Sequence, residues 1–167
     1  MAIRAATPAD EDRIVELSLA AWEPVFASMA DVVGRAIFTQ LFTTDWRRYQ
    51  EGGVRRACSK FPVWVAEEGG EVVGFTAVDL PDGEPHGEIH MLAVDPGHQG
   101  RGTGLALTRH AIEVMRGAGR VLAIVNTGRD PGHAPARATY ERAGFTSLPA
   151  EQYFLLIGEG GPQASAS

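Results

Sequence analysis

Residues 94–104 read Val-Asp-Pro-Gly-His-Gln-Gly-Arg-Gly-Thr-Gly, and this stretch decides the fold because it leads a strand through a glycine-rich bend into a helix. The apolar run at 89–94 predicts the strand, and the apolar spacing from Leu105 to Met115 predicts a helix with one buried face. Glycines reach positive φ, so successive amides of the bend can point at one anion beside the positive end of the helix. The stretch therefore predicts an anion site.

The glycine spacing excludes two common phosphate-binding patterns. The phosphate loop of nucleotide hydrolases ends in Gly-Lys-Ser/Thr, and this stretch contains no lysine. The dinucleotide pattern G-x-G-x-x-G would need a glycine at position 105, where Leu105 stands. What remains is Gln99-x-x-Gly102-x-Gly104, and a nucleotide-binding protein of another kind is disfavoured.

The neighbouring segments favour one family. Upstream, residues 87–96 read Gly-Glu-Ile-His-Met-Leu-Ala-Val-Asp-Pro; downstream, a strand at 121–125 precedes the pattern Ala136-x-x-x-Tyr140-x-x-x-Gly144-Phe145. With the glycine stretch, these ordered segments resemble the GNAT superfamily of acyl-CoA-dependent N-acetyltransferases. The resemblance runs from Glu88 to Phe145 and covers the first 85 residues only loosely. It implies acetyl-CoA as the acyl donor and direct acetyl transfer to a primary amine.

Strand and helix signals alternate along the chain and predict an α/β (α+β) fold. The resemblance implies a mixed, largely antiparallel sheet of six to seven strands, with helices on both faces and a splayed parallel pair. We expect helices from Thr7-Pro8 onward, at 104–116 and at 134–143, and helical patterns between residues 22 and 61 that break at Pro24 and Gly52-Gly53. We expect strands at 3–5, 63–67, 72–80, 89–94, 121–125, 145–148 and 153–157.

Length and composition predict one domain over residues 1–157 and a disordered tail over 158–167. The chain has 167 residues, of which 44% are hydrophobic, and no run of about 18 apolar residues or signal peptide is present. A cytoplasmic location without membrane contact is therefore expected. A net charge of −6 argues against nucleic acid as a partner and mildly favours a cationic substrate. Cys58 is the only cysteine, which excludes an intramolecular disulfide, and no metal site is expected.

Two residues near the start of the central strand are candidates for the base. An amine with a lysine-like pKa of about 10.4 is neutral in only about one molecule in 10³ at pH 7, so its proton needs an acceptor. Glu88 matches the position at which relatives keep a glutamate base. Strand alternation places Glu88, His90 and Leu92 on one face, so His90 is the second candidate, and a water can relay the proton.

The resemblance assigns the donor site to the glycine stretch and the strand before it. It implies that an amide near Leu92 stabilises the oxyanion, that Ala93 and Val94 bind the pantetheine arm, and that the following amides bind the pyrophosphate. Those residues are Gln99, Gly100, Arg101, Gly102, Thr103 and Gly104.

Tyr140 matches the general acid of the family, which protonates the departing thiolate. Ala136 lies one helical turn earlier and leaves room for the donor. Relatives usually have an asparagine seven residues before this tyrosine, but this chain has His133 there. The nearest asparagine is Asn126, before a longer loop at 127–132. Either residue can contact the donor arm.

The resemblance says less about the acceptor wall than about the donor site, because family likeness identifies a donor better than an acceptor. Aromatic and acidic residues that can hold a cationic amine are Trp22, Glu23, Phe26, Trp46 and Asp79. Small amines, amino acids, amine antibiotics and protein N-termini all stay open, as does a homodimer through the apolar segment 153–157. The alternative function is a non-catalytic module that binds or senses acyl-CoA.

Overall fold

One mixed sheet organises the chain, whose computed structural model describes residues 1–43 and 45–158. Its five strands are neighbours in chain order: β1 (Ala2–Ala5), β2 (Val63–Glu68), β3 (Glu71–Asp79), β4 (His86–Val94) and β5 (Leu122–Val125). The first four pair antiparallel, and β5 pairs parallel to β4. The predicted mixed, largely antiparallel fold is confirmed.

The parallel pair opens along its length. β4 and β5 are in register from His86 opposite Leu122 to Ile89 opposite Val125. Beyond Ile89, β4 continues to Val94 and pairs only with β3. Pairing stops where β5 ends and leaves one edge of β4 free, as expected for the splayed pair that the resemblance implied.

The helices pack on both faces of this sheet. Their bounds are α1 (Glu11–Val33), α2 (Arg35–Leu41), α3 (Trp46–Lys60), α4 (Thr103–Gly117) and α5 (Ala134–Ala143), with short 3-10 turns at Pro8–Asp10, Pro96–His98 and Pro131–His133. Buried residues of α1 and α3 form one core with Phe75 and Ala93, whereas Met115 of α4 and Tyr140 of α5 pack on the other face with Ile89. None of the described helices combines the length and apolarity that a membrane crossing requires.

The predicted helix breaks were wrong. α1 continues through Pro24 despite the lost hydrogen bond, because both sides of the proline are anchored: Leu17 is buried in the core with Phe75, and Phe26 is buried against Trp46 of α3. The break falls at Gly34, whose φ of +81° suits glycine. Gly53 lies inside α3, where a Cβ atom would stand 3.4 Å from Met91, so close packing of α3 on β4 explains it.

The two C-terminal strands are also absent from the part of the chain that is described. Residues 145–148 and 153–157 have no strand pairing, and Leu148, Tyr153 and Ile157 are 91%, 85% and 94% exposed. Strand propensity alone does not form a strand, because it depends on packing, and these apolar side chains are exposed. Apart from Gly158, the predicted tail lies outside the described residues.

A β-bulge in β4 changes which residues share a face. Ile89 is opposite Val78 and Met91 is opposite Ala77, so His90 is the extra residue. Ile89 and Leu92 consequently both pack towards α4, whereas Met91 packs towards α1 and α3. The prediction that Glu88 and Leu92 share a face was wrong, because simple alternation does not survive an inserted residue.

Candidate active site

A cleft lies where β4 and β5 separate. Its volume is about 280 Å³, and its walls come from α1, the free edge of β4, the glycine stretch and α5. Ten of the residues predicted from sequence line it: Trp22, Leu92, Ala93, Val94, Gln99, Gly100, Gly104, His133, Ala136 and Tyr140. The fold therefore brings most of the donor-site candidates together around one opening.

The free edge of β4 offers main-chain donors to this cleft. The Asp95 amide donates to the Val73 carbonyl at 2.9 Å, so Asp95 directs its amide towards β3. Because alternate residues of a strand direct their amides to opposite sides, those of Leu92 and Val94 point away from β3 and into the opening. The Val94 carbonyl on the same side accepts a 3.0 Å hydrogen bond from Gln99 Nε2.

The glycine stretch divides into a closed turn and an open one. In the closed turn, the amides of Gly97 and His98 donate to Asp95 at 2.9 and 2.8 Å, and that of Gln99 donates to Pro96 at 3.4 Å. In the open turn, Gly100 and Gly102 have φ of +74° and +89°. Within the described residues, the amides at 100–104 have no acceptor, and the first amides of a helix have none by construction. The open donors therefore begin at Gly100 rather than at Gln99.

Arg13 binds Asp95 at the start of the glycine stretch, a contact that the sequence analysis did not predict. Its Nη2 lies 2.7 Å from Asp95 Oδ2, and its Nε donates to the Val72 carbonyl at 3.1 Å. Burial alone would raise the pKa of Asp95, but hydrogen bonds from Gly97 and Arg13 outweigh it and lower this pKa. A lone arginine in a helix gives no signal of a contact 82 positions away.

The other two predicted residues of the stretch differ in burial. Thr103 is 3% exposed at the first position of α4, whereas the side chain of Arg101 is exposed. Neither lines the cleft, and Gly102 does not line it either.

Tyr140 stands in the wall of the cleft with its ring in the core. The residue is 9% exposed, and its ring meets Phe145 edge to face with centroids 5.9 Å apart. Its hydroxyl makes no hydrogen bond to another described residue. Burial raises the pKa of Tyr140 to about 12, so the phenol is protonated throughout the physiological pH range.

His133 enters the cleft from a braced loop. Its Nδ1 is hydrogen-bonded to Asp130, which leaves Nε2 for the cleft. Burial opposes ionisation of Asp130, but hydrogen bonds with His133 and Ser28 outweigh it, so the pKa of Asp130 is lowered. Arg137 donates to the carbonyls of Gly128 and Asp130 at 2.7 and 2.9 Å.

The same loop is tied to α1. The Gly132 amide donates to Ser28 Oγ at 2.9 Å, and a Cβ at Gly132 would lie 2.9 Å from the Cα of Val25. Glycine thus allows the loop to touch the helix. The inserted residues read as an unremarkable loop in sequence, and only the structure reveals this bracing.

The two base candidates lie outside the cleft lining. Glu88 lies on the sheet face that carries α1 and α3, opposite Asp79 in register, and its Oε1 accepts a 2.9 Å hydrogen bond from Asn126 Nδ2. Asn126 does not line the cleft either. His90 is exposed, with its ring 4.4 Å from that of Phe61.

Most of the predicted acceptor residues make packing contacts. Phe26 is buried and stacks on Trp46 with ring centroids 4.5 Å apart, and Glu23 forms a 2.5 Å ion pair with Arg47. Trp22 alone of this group lines the cleft.

Comparison with known proteins decides the family. The model of the acetyltransferase (GNAT) family matches residues 28–145, more than half of the chain. The chain belongs to the GNAT acetyltransferase family. The resemblance predicted from the glycine stretch and the segments around it is thereby confirmed.

Curated relatives match only part of this GNAT chain. A mycothiol acetyltransferase of Beutenbergia cavernae is 41% identical over 90 residues, which are 52% of this chain and 29% of that protein. One from Streptomyces bingchenggensis is 40% identical over 84 residues, 50% of this chain and 27% of that protein. The chain thus spans less than a third of the length of these relatives.

Solved structures share the fold. A GNAT family acetyltransferase from Brucella melitensis in complex with acetyl-CoA has a TM-score of 0.59 and 24% identity, covering 87% of this chain and 82% of that one. An aminoglycoside 6′-N-acetyltransferase from Acinetobacter haemolyticus has a TM-score of 0.61 and 15% identity, covering 92% and 97%. At these identities the likeness establishes the fold alone.

Proposed function

We propose that the chain transfers the acetyl group of acetyl-CoA, the donor of its family, to a primary amine by direct attack. One observation carries the proposal: the cleft at the separated strands combines free β4 amides, open glycine amides and a protonated buried phenol. An anion-binding turn, a polar strand edge and a proton donor are the three features that a diphosphate-bearing thioester needs.

The residues present fit such a donor. The open amides at 100–104 suit the diphosphate, since backbone donors at a helix start attract negative charge. The outward amide and carbonyl of Val94 suit the amide groups of a pantetheine arm, although Gln99 already uses one lone pair of that carbonyl. His133 lines the cleft and stands at the sequence position where relatives have an asparagine. We therefore assign its Nε2 to a polar contact with the donor arm.

Different residues of the chain assist different steps of the transfer. The bound donor supplies an activated acetyl thioester. The Leu92 amide donates a hydrogen bond to the carbonyl oxygen as negative charge develops there. Glu88 accepts the proton of the attacking amine, directly or through a water.

Tyr140 assists the sulfur that leaves. A thiol ionises near pH 8.5, whereas the pKa of Tyr140 is about 12, so the phenol keeps its proton and acts by donating a hydrogen bond. This refines the predicted role of a general acid: the departing thiolate is stabilised first and takes its proton from solvent.

The acceptor is a primary amine of a small molecule or a peptide. The mycothiol acetyltransferases make a thiol-bearing small molecule one member of the panel to test, but they share only about half of this chain. A non-catalytic acyl-CoA sensor is the alternative, and the protonated Tyr140 in the cleft wall argues against it.

A panel of amines tests the function. Each amine is mixed with acetyl-CoA and the chain, and release of free thiol is followed with a thiol reagent; for a thiol-bearing amine, loss of the thioester absorbance is followed instead. The proposal expects thiol release that depends on both the amine and the chain. Tight coenzyme A binding without thiol release for any amine would instead support the sensor.

A further inference from the structure

Asn126 stands beside Glu88 at the point where the parallel strands separate. It directly follows β5, in which Val125 packs towards α4. Because side chains alternate, Asn126 points to the opposite face, and register places Glu88 next to Ile124 on that face. The result is the 2.9 Å hydrogen bond from Asn126 Nδ2 to Glu88 Oε1.

This contact fixes one carboxylate oxygen and leaves the other available. Among the described residues, Asn126 is the only side chain that donates to Glu88, and Glu88 Oε2 has no hydrogen-bond partner. A carboxylate held at one oxygen presents the second in a defined direction, which is the requirement for accepting a proton from a bound amine.

The charged surroundings make the tether necessary. Asp79 lies directly opposite Glu88 on β3, at a spacing where like charges repel. Two histidines of β4 are each two residues from Glu88: His86 lies 3.7 Å from Glu84, and His90 packs against Phe61. Without a donor on the β5 side, the Glu88 carboxylate would turn away from Asp79 towards solvent.

We infer that Asn126 is a positioning residue for the proton acceptor Glu88, rather than a contact for the donor arm. The inference rests on the proposed function, because positioning matters only if Glu88 accepts the proton of an amine. His133, which lines the cleft, is then left with the donor arm, so the two candidates have separate tasks.

Two substitutions of Asn126 test the inference. Asn126→Ala removes the donor and is expected to lower kcat about 10- to 150-fold, the value of a hydrogen bond to a charged group, with KM for acetyl-CoA unchanged. Asn126→Asp keeps the shape but adds a like charge, which favours the protonated form of the site. The acid limb of its pH–rate profile is therefore expected to move to higher pH.

The matched control is Thr127→Ala, an exposed neighbour at which kcat and the profile should not change. A contact of Asn126 with the donor arm would raise KM for acetyl-CoA without moving the profile, and that result overturns the inference. So do unchanged kinetics in both variants.

A spectroscopic measurement separates this inference from the proposed function. The side-chain amide resonances of Asn126 should shift on Glu88→Gln and should titrate with acid in the wild-type chain. Absence of both effects overturns the inference even if the chain is an active acetyltransferase. A wild-type chain that shows the resonance shifts but releases no thiol with any amine contradicts the proposed function, and the positioning role with it.

Discussion

Replacement of Tyr140 by phenylalanine should lower turnover while leaving the fold and donor binding intact. The ring packs against Phe145 and is retained in the variant, so only the hydroxyl in the cleft wall is lost. A hydrogen bond to a charged partner contributes about 1.5–3 kcal/mol, so loss of the bond to the departing sulfur should lower kcat about 10- to 150-fold. Thiol release at saturating acetyl-CoA and amine measures the change.

The pH dependence of this loss follows from the raised pKa of Tyr140. Because burial holds the pKa near 12, the phenol is protonated from pH 6 to 10, and the ratio of wild-type to variant kcat should be constant over that range. A phenol that gave up its proton near neutral pH would make the ratio fall as pH rises.

Stability in alkali gives a second check on the same group. The unfolded tyrosine ionises near pH 10 and the folded one near 12, so stability present below pH 10 is lost as pH rises to 12. A shift of about two pKa units corresponds to about 3 kcal/mol. In denaturant titrations, the fall in the free energy of unfolding between pH 10 and 12 should therefore be smaller by about that amount in Tyr140→Phe than in the wild-type chain.

Tyr153→Phe is the matched control, because Tyr153 is 85% exposed and its hydroxyl contacts Glu151 outside the cleft. It should leave kcat unchanged. Wild-type turnover in Tyr140→Phe would refute the role of the phenol, and equal losses in both variants would refute its location in the cleft.

Three further substitutions test the donor site and the fold. Gly102→Val forces a branched residue to φ +89° at a cost of about 1–3 kcal/mol, so calorimetry should find coenzyme A bound about 5- to 150-fold more weakly. Gly119→Val, at φ +76° beyond α4, should strain the fold without that loss. His133→Asn should preserve kcat within about threefold in steady-state kinetics, because asparagine supplies a comparable polar contact to the donor arm; a loss above about 100-fold would assign His133 to the chemistry instead. Asp10→Asn should cost about 2 kcal/mol in denaturant titrations, since Asp10 accepts hydrogen bonds from Arg4 and Thr7. Hydrogen bonding to Arg4 holds the pKa of Asp10 well below its usual range, so this stability is present above about pH 4 and lost in acid, and the variant should show a flatter acid dependence.

The parts of the fold that local sequence encodes were predicted well. The hairpin of β2 and β3 has an uninterrupted strand pattern around Gly69-Gly70, and α5 has clear end signals from Pro135 to Gly144. The glycine stretch also carries its own geometry, because positive φ at Gly100 and Gly102 is a local requirement. In these cases a few adjacent residues are sufficient to predict the local structure.

Features that depend on packing between distant segments were not predicted. The bulge at His90 follows from the pairing of β4 with β3, and the sequence of β4 alone does not indicate it. The continuity of α1 through Pro24 depends on the core beneath the helix, which outweighs one lost hydrogen bond. Local propensity and alternation are therefore weakest where tertiary contacts reset the register or compensate a break.

The candidate site shows the same division. Tyr140 and the glycines follow motifs, so their place in the cleft was predictable. Arg13 and Asn126 act through contacts with Asp95 and Glu88, across separations of 82 and 38 residues. Such partners have no local pattern.

The central claim is that the open amides at 100–104 bind the diphosphate of coenzyme A, and calorimetry with two ligands tests it most directly. Pantetheine contains the thiol arm of coenzyme A but lacks the diphosphate and nucleotide. If several charge-assisted hydrogen bonds hold the diphosphate, coenzyme A should bind with one-to-one stoichiometry and at least about 100-fold more tightly than pantetheine. Equal affinity for the two ligands, or no binding of coenzyme A, would contradict the account.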